Sequence, residues 1–225
     1  MSFFIKLIET TDSERRALEN LPKVHAMINH GLTLEEYQTF LHDMYHIVWN
    51  FCPIMASAAS RCSDDFRQVR YRLYESIESE KGHEAWVFDD LLAVGGDAEK
   101  AKATLPSLPV QSMIAFNYNA VERVHPCSVI GMLYTLEVVS SVYGGRVATA
   151  ISRAIGIPGP RGFTFLDSHA SMDLDHMAKL TELVKTIEAP AAQQAIINAT
   201  RVNFWLFGQV FSQPVFNQPA TARAA

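Results

Sequence analysis

The amino-acid sequence predicts an all-α protein folded as a single helical bundle. Three observations carry that expectation. Helix start and stop signals punctuate the chain from end to end. No series of alternating strands and no internal repeat interrupts them. Its clustered histidines and carboxylates fall at helical spacing. With 225 residues, 48% of them apolar and 19% charged, the chain suits one domain with a sizeable core. The domain is expected over 1–212, and the Pro/Ala-rich segment 213–225 as a flexible tail.

Short N-terminal helices come first, closed by Gly31 as a C-cap. Thr33-Leu-Glu-Glu36 is a capping box that opens a helix running to about Cys62, and Pro53 is expected to kink it. Asp64 or Asp65 opens the next helix, which runs to Leu92 and ends at Gly95-Gly96-Asp97. Residues 101–109 hold Pro106 and Pro109 and read as a connection before a shorter helix, Val110 to Val124. Pro126 is placed as a first-turn proline, opening a strongly apolar helix in which Gly144-Gly145 predicts a bend or break. After the turn Pro158-Gly-Pro-Arg-Gly162 come a helix over 163–187 and a last one from Pro190 to near Phe211. The sum is about seven helices with N-terminal helices packed on them.

Composition excludes several classes. A net charge of -5 without a Lys/Arg cluster argues against nucleic acid as the partner. No apolar run reaches the roughly 18 residues of a membrane span, and the start lacks the pattern of a secretory signal. Cys52, Cys62 and Cys127 are unclustered, as expected of reduced thiols in the cytoplasm.

The chemistry sits in His169-x-x-x-Asp173-x-x-His176 and Glu80-x-x-His83. At about 100° per residue, Asp173 and His176 flank the meridian of His169 on one helix face, about 40° to one side and about 20° to the other. Glu137 is the only charge in the apolar stretch Val129 to Tyr143. A carboxylate buried there without a partner costs several kcal/mol, roughly, and a cation resolves that cost. Two acid-x-x-His pairs plus a third carboxylate make the ligand inventory of a di-iron or di-manganese site. Glu80 competes with Glu75, Glu78 and Glu84 in an acidic stretch and is the preferred member. His46, Trp86 and Tyr134 are candidates for the pocket wall, alongside Met132 and Phe163. His42 shares the face of His46, whereas His25, His30 and His125 read as helix-end residues. The last helix, with Phe204, Trp205, Phe207 and Phe211, suits the core or an interface.

The phrases Glu80-Lys-Gly-His-Glu-Ala-Trp86, Tyr134-Thr-Leu-Glu137 and Leu166-Asp-Ser-His-Ala-Ser-Met-Asp-Leu-Asp-His176 resemble the haem-oxygenase-like iron-containing redox enzymes, the di-iron oxidases related to TenA and PqqC proteins. The resemblance covers Glu14 to about Phe211. It implies a bundle of seven to eight helices, often a homodimer, with no haem and with one or two iron ions, or manganese, in a central pocket. There O2 would be activated against a small organic substrate. Carried over by position, the ligands are His83, Glu137, His169, Asp173 and His176, with Glu80 matching a Glu-x-x-His variant. One departure is Ser76, where other members place a carboxylate. It implies a labile second ion or a mononuclear site.

Four rivals remain from the sequence alone. A TenA-like, metal-free hydrolase of thiamine-type pyrimidines needs a nucleophilic Cys where this chain has Ile130 and Gly131. A cofactor-free PqqC-like oxidase leaves Glu137 and Asp173 as surplus buried charges. A haem oxygenase would set haem propionates against a ring of carboxylates. A non-catalytic binding or regulatory member of the fold would lack bound metal and O2 consumption.

Overall fold

Thr33 accepts the Glu36 N–H at 3.3 Å while the Glu36 carboxylate accepts the Thr33 N–H at 2.8 Å, so the expected capping box opens a 28-residue helix, Leu34–Arg61. In this computed structural model residues 2–217 are described, apart from the side chains of Ser171, Asp173 and Leu174. The chain runs α1 (Phe3–Glu19), α2 (Pro22–His30), α3 (Leu34–Arg61), α4 (Arg67–Glu80), α5 (Glu84–Ala93), α6 (Ala98–Ala103), α7 (Leu108–Asn119), α8 (Ser128–Ile155), α9 (Thr164–Lys185) and α10 (Pro190–Val210). A 3-10 turn, Asp64–Phe66, precedes α4, and a π turn, Ala120–Val124, follows α7. The all-α prediction holds. None of the described helices is long and apolar enough to cross a membrane.

α8 is the spine, packed against α9 on one side and α10 on another, with α2 also on it. α3 packs on α4, α5 and α7. The apolar residues of α10 fall into the core, Phe204, Phe207 and Phe211 among them, while Trp205 is left exposed.

The helix count exceeds seven to eight for two local reasons. The helix expected from Asp64 to Leu92 is broken at Lys81-Gly82-His83, where Gly82 adopts φ 91°, a conformation L side chains rarely take. Asp97, read as closing a helix, caps another: its carboxylate accepts the Lys100 N–H at 2.8 Å, and α6 runs from there into the segment 101–109 read as a connection.

Neither of two expected interruptions breaks its helix. α3 continues through Pro53, and α8 continues through Gly144-Gly145. The glycine at 144 serves close packing instead, since a Cβ there would stand 3.3 Å from the Leu166 carbonyl oxygen on α9. Gly131 serves α10 more strictly, because a Cβ would lie 2.6 Å from the Thr200 nitrogen.

The tail expected to be mobile from 213 is docked as far as 217. Gln213 donates to Asp43 at 2.9 Å, and a 3-10 turn (Pro214–Asn217) buries Phe216 against Phe211. Residues 218–225 lie outside the described residues.

Candidate metal centre

Four elements bring the candidate ligands together: the end of α4 supplies Glu80, the break before α5 His83, the middle of α8 Glu137, and α9 both His169 and His176. The helix break alters the route but not the outcome. His83 does not follow Glu80 on a continuous helix, yet its Nδ1 stands 3.0 Å from Glu80 Oε2. Glu80, His83 and His176 are buried, and His169 and Glu137 are nearly so.

Glu80 is the hub. Its Oε2 faces His83 Nδ1 at 3.0 Å and His169 Nε2 at 3.6 Å, while its Oε1 lies 3.3 Å from His176 Nδ1. The same His176 nitrogen is 3.3 Å from Glu137 Oε1. Two clusters result, Glu80–His83–His169 and Glu80–Glu137–His176, each with donor atoms within 4.8 Å of one another. Burial alone would push the Glu80 carboxyl up, but hydrogen bonds from His169 and His83, with their charge, hold it down at about 2. Glu137 Oε2 is buried and finds no hydrogen-bond partner among the described residues. Natural proteins seldom leave such an atom unsatisfied. This orphan oxygen, in a set of imidazoles and carboxylates, fits a divalent transition metal such as iron or manganese.

Backbone contacts orient the imidazoles. His169 Nδ1 lies 2.9 Å from the Phe165 carbonyl oxygen, which only accepts, so Nδ1 carries a proton and Nε2 is the nitrogen turned toward Glu80. His83 stacks on Trp86 with ring centroids 3.9 Å apart, and Trp86 meets His169 edge-on at 5.7 Å. The start of α9 is itself fixed. Asp90, buried on α5, accepts the backbone N–H groups of Thr164 at 3.0 Å and Phe165 at 2.7 Å. Burial pushes the Asp90 carboxyl up, and these N–H groups partly offset it. Tyr37 donates to the Gly162 carbonyl at 2.7 Å and stacks on Phe163.

An apolar cavity of about 120 Å³ leads to this centre, with Glu80, Glu137 and His169 in its wall. α3 lines it with Phe40, Met44, Ile47, Val48 and Phe51, a stripe about 16 Å long at 1.5 Å per residue. α2, α8 and α10 close the other sides, and the remaining polar lining is Glu19, Ser140 and Tyr143.

Of the residues singled out in the sequence, Glu80, His83, Glu137, His169 and His176 converge. Asp173 lies on α9 between the two histidines, and its side chain is outside the described residues. Trp86 borders the centre through its ring contacts. Two pocket expectations are corrected. Tyr134 is buried away from the cavity, edge-on to Phe4 and Phe204, because it sits on the α8 face turned toward α1 and α10. His46 is on the face of α3 opposite the apolar stripe, beside His42 and near Ala101 and Thr104, with a buried Nε2 that finds no hydrogen bond among the described residues. Phe163 serves the Tyr37 stack. The sequence reading missed Asp90, whose partners lie more than seventy positions away, and the α3 stripe, which reads simply as core.

No cysteine lines the cavity among the described residues. Cys127, fully buried, has its thiol pushed up to about 12 by burial, with Cys62 adding to the effect. It is no nucleophile for this pocket.

Comparison with solved structures shows the haem-oxygenase-like fold. A domain of unknown function with that fold from Shewanella denitrificans superposes with a TM-score of 0.83 at 18% identity, covering 92% of this chain and 90% of that one. A TenA homologue from Pseudomonas syringae pv. tomato gives 0.75 at 12% identity over 92% and 90% of the two chains. The haem oxygenase of Leptospira interrogans gives 0.73 at 17% identity over 94% and 99%. No curated protein matches the chain significantly. The family profile described as iron-containing redox enzyme matches residues 38–206, which include every candidate ligand. The chain belongs to that family of iron-containing redox enzymes with a haem-oxygenase-like fold.

Proposed function

We propose that the protein is a non-haem iron oxidase or oxygenase that holds two iron ions and activates O2 against a small, largely apolar substrate. The observation that carries this reading is the shared carboxylate: Glu80 offers one oxygen to His83 and His169 and the other to His176, beside the orphaned Glu137 Oε2. That is the donor arrangement two adjacent cations require, with Asp173 as a sixth ligand from α9.

Ferrous iron bound there supplies the electrons that reduce O2. The chain's own residues do the rest. Glu80, held at about 2, stays ionised at any physiological pH and keeps both positions negative. The Phe165 carbonyl fixes the His169 tautomer, and Asp90 fixes the start of the helix on which His169 rides. The α3 stripe excludes water and holds an apolar chain against the polar end of the cavity. Aliphatic groups fit that wall, and any anionic head has its cationic partner at the metals, because no Lys or Arg lines the cavity among the described residues.

Anaerobic Fe(II) titration followed by stopped-flow absorbance on mixing with O2 tests the reading, on wild type and His176→Ala. Two Fe(II) per chain and a transient visible absorbance, both lost in the variant, support it. Protein that binds no iron overturns it.

A further inference from the structure

Beside the centre, sharing Phe51, Glu80 and Glu137 with the wall of the apolar cavity, lies a second and much smaller space of about 10 Å³. That is room for about one water-sized species. Its polar wall is Arg72, Ser76, Ser79, Glu80, Glu137 and His176, closed by apolar side chains. Outside it, α4 and α9 flank an open surface groove of about 500 Å³, bounded by Glu75, Lys179 and Glu182 among others. One charged side chain belongs to both walls, that of Arg72.

Resting on the metal reading above, we propose that Arg72 gates a polar port through which divalent cations reach the Glu80–Glu137–His176 position without crossing the apolar cavity. A hydrated cation that travels along the α3 stripe loses its water against hydrocarbon and meets few compensating ligands. The groove between α4 and α9 offers a different path. Its rim carries Glu75 and Glu182, and the small space on the other side of Arg72 has Glu137, whose Oε2 is orphaned among the described residues, in its wall. Only the Arg72 side chain stands in both spaces.

The gate opens cheaply. The Arg72 side chain is 14% exposed, and among the described residues its ion pair is Nη1 to Glu75 Oε2 at 3.0 Å, whose acidic partner is 68% exposed. Water screens that pair on its Glu75 side, so the pair itself adds little to holding the guanidinium inward. When closed, it sets a positive charge beside the position where Ser76 supplies no carboxylate. Cations are therefore admitted slowly to this position, and the position at His83 and His169 is unaffected.

Anaerobic Fe(II) uptake, followed by trapping unbound metal with a chelator, tests this on wild type, Arg72→Met, Arg72→Lys and Lys179→Met. Wild type should load in two phases. Arg72→Met should speed the slower phase about tenfold, the scale on which a local charge alters association rates, and leave the faster one alone. Arg72→Lys and Lys179→Met should load as wild type does. If Arg72→Met proves unstable, Glu75→Gln frees the guanidinium without touching the inner wall and should accelerate the same phase. An unchanged slow phase, or equal acceleration by Lys179→Met, overturns the gate and leaves the metal reading standing. A single iron taken up in one phase that Arg72→Met does not alter does the same. A wild-type chain that binds no iron overturns both.

Discussion

Asp90 Oδ2 accepts the backbone N–H of Phe165 at 2.7 Å, which ties α5 to the first turn of the helix that carries His169 and His176. The contact is a helix cap supplied across the fold rather than by the preceding residues, since Phe163, the N-cap, makes no side-chain cap hydrogen bond.

Asp90→Ala should therefore destabilise the protein by about 1–2 kcal/mol, the cost of losing a cap. It should also weaken Fe(II) binding more than the stability loss alone, because α9 loses its anchor at the ligand end. Chemical denaturation and metal titration on the same variant check the two effects.

Glu137→Gln should reverse sign with metal. In metal-free protein it removes a buried carboxylate whose Oε2 has no partner among the described residues, and should raise stability by about 1 kcal/mol. With Fe(II) or Mn(II) at a hundredfold excess over Kd, the wild type should gain about 2.7 kcal/mol per site filled, and the variant should fall behind it. Melting curves with and without metal under argon decide the matter. A variant less stable in both conditions would contradict the buried-charge argument.

The glycines of α8 should answer differently to a methyl group. Gly145→Ala meets only Ala170 Cβ at 3.7 Å, so it should stabilise by roughly 0.5–1 kcal/mol through helix propensity. Gly131→Ala drives a Cβ to 2.6 Å from the Thr200 nitrogen on α10 and should cost about 1–3 kcal/mol. Urea midpoints of the two variants give the comparison.

Acid should undo the contact between α3 and the C-terminal segment. Asp43 is buried, which by itself pushes its carboxyl up. Hydrogen bonds from His42, Ser107 and Gln213 outweigh that and hold it below the ordinary value. A lowered folded pKa contributes stability above the unfolded value of about 3.9 and loses it as pH falls through the folded one. The stability difference between wild type and Asp43→Asn should be largest near neutral pH and shrink below about pH 4. Denaturation curves between pH 7 and pH 3 measure it.

Much of this architecture can be read from local signals. The Thr33–Glu36 box, Pro190 at the start of α10 and the His169-to-His176 spacing on α9 all act within a turn or two, and the elements they predict are there, whereas Pro126 lies just ahead of α8 rather than in its first turn. What escapes a reading of the chain is set by distant partners. Gly144 looks like a break until α9 is laid against it, and Gly82 looks like part of a helix until the turn to His83 is seen. Tyr134 and His46 sit close in sequence to ligands or aromatics, yet their faces turn away from the cavity. Asp90 carries no periodic signal at all, because the backbone it caps arrives only when α9 folds back.

The His83–Trp86 stack gives the molecule its own optical indicator. The chain has three tryptophans. Trp49 and Trp205 are exposed, at 56% and 60%, whereas Trp86 lies against one candidate ligand and edge-on to another. Emission from Trp86 is thus the part of the fluorescence coupled to the centre. Quenching it with a paramagnetic ion, while acrylamide suppresses the two exposed rings, would count occupied sites without any added dye.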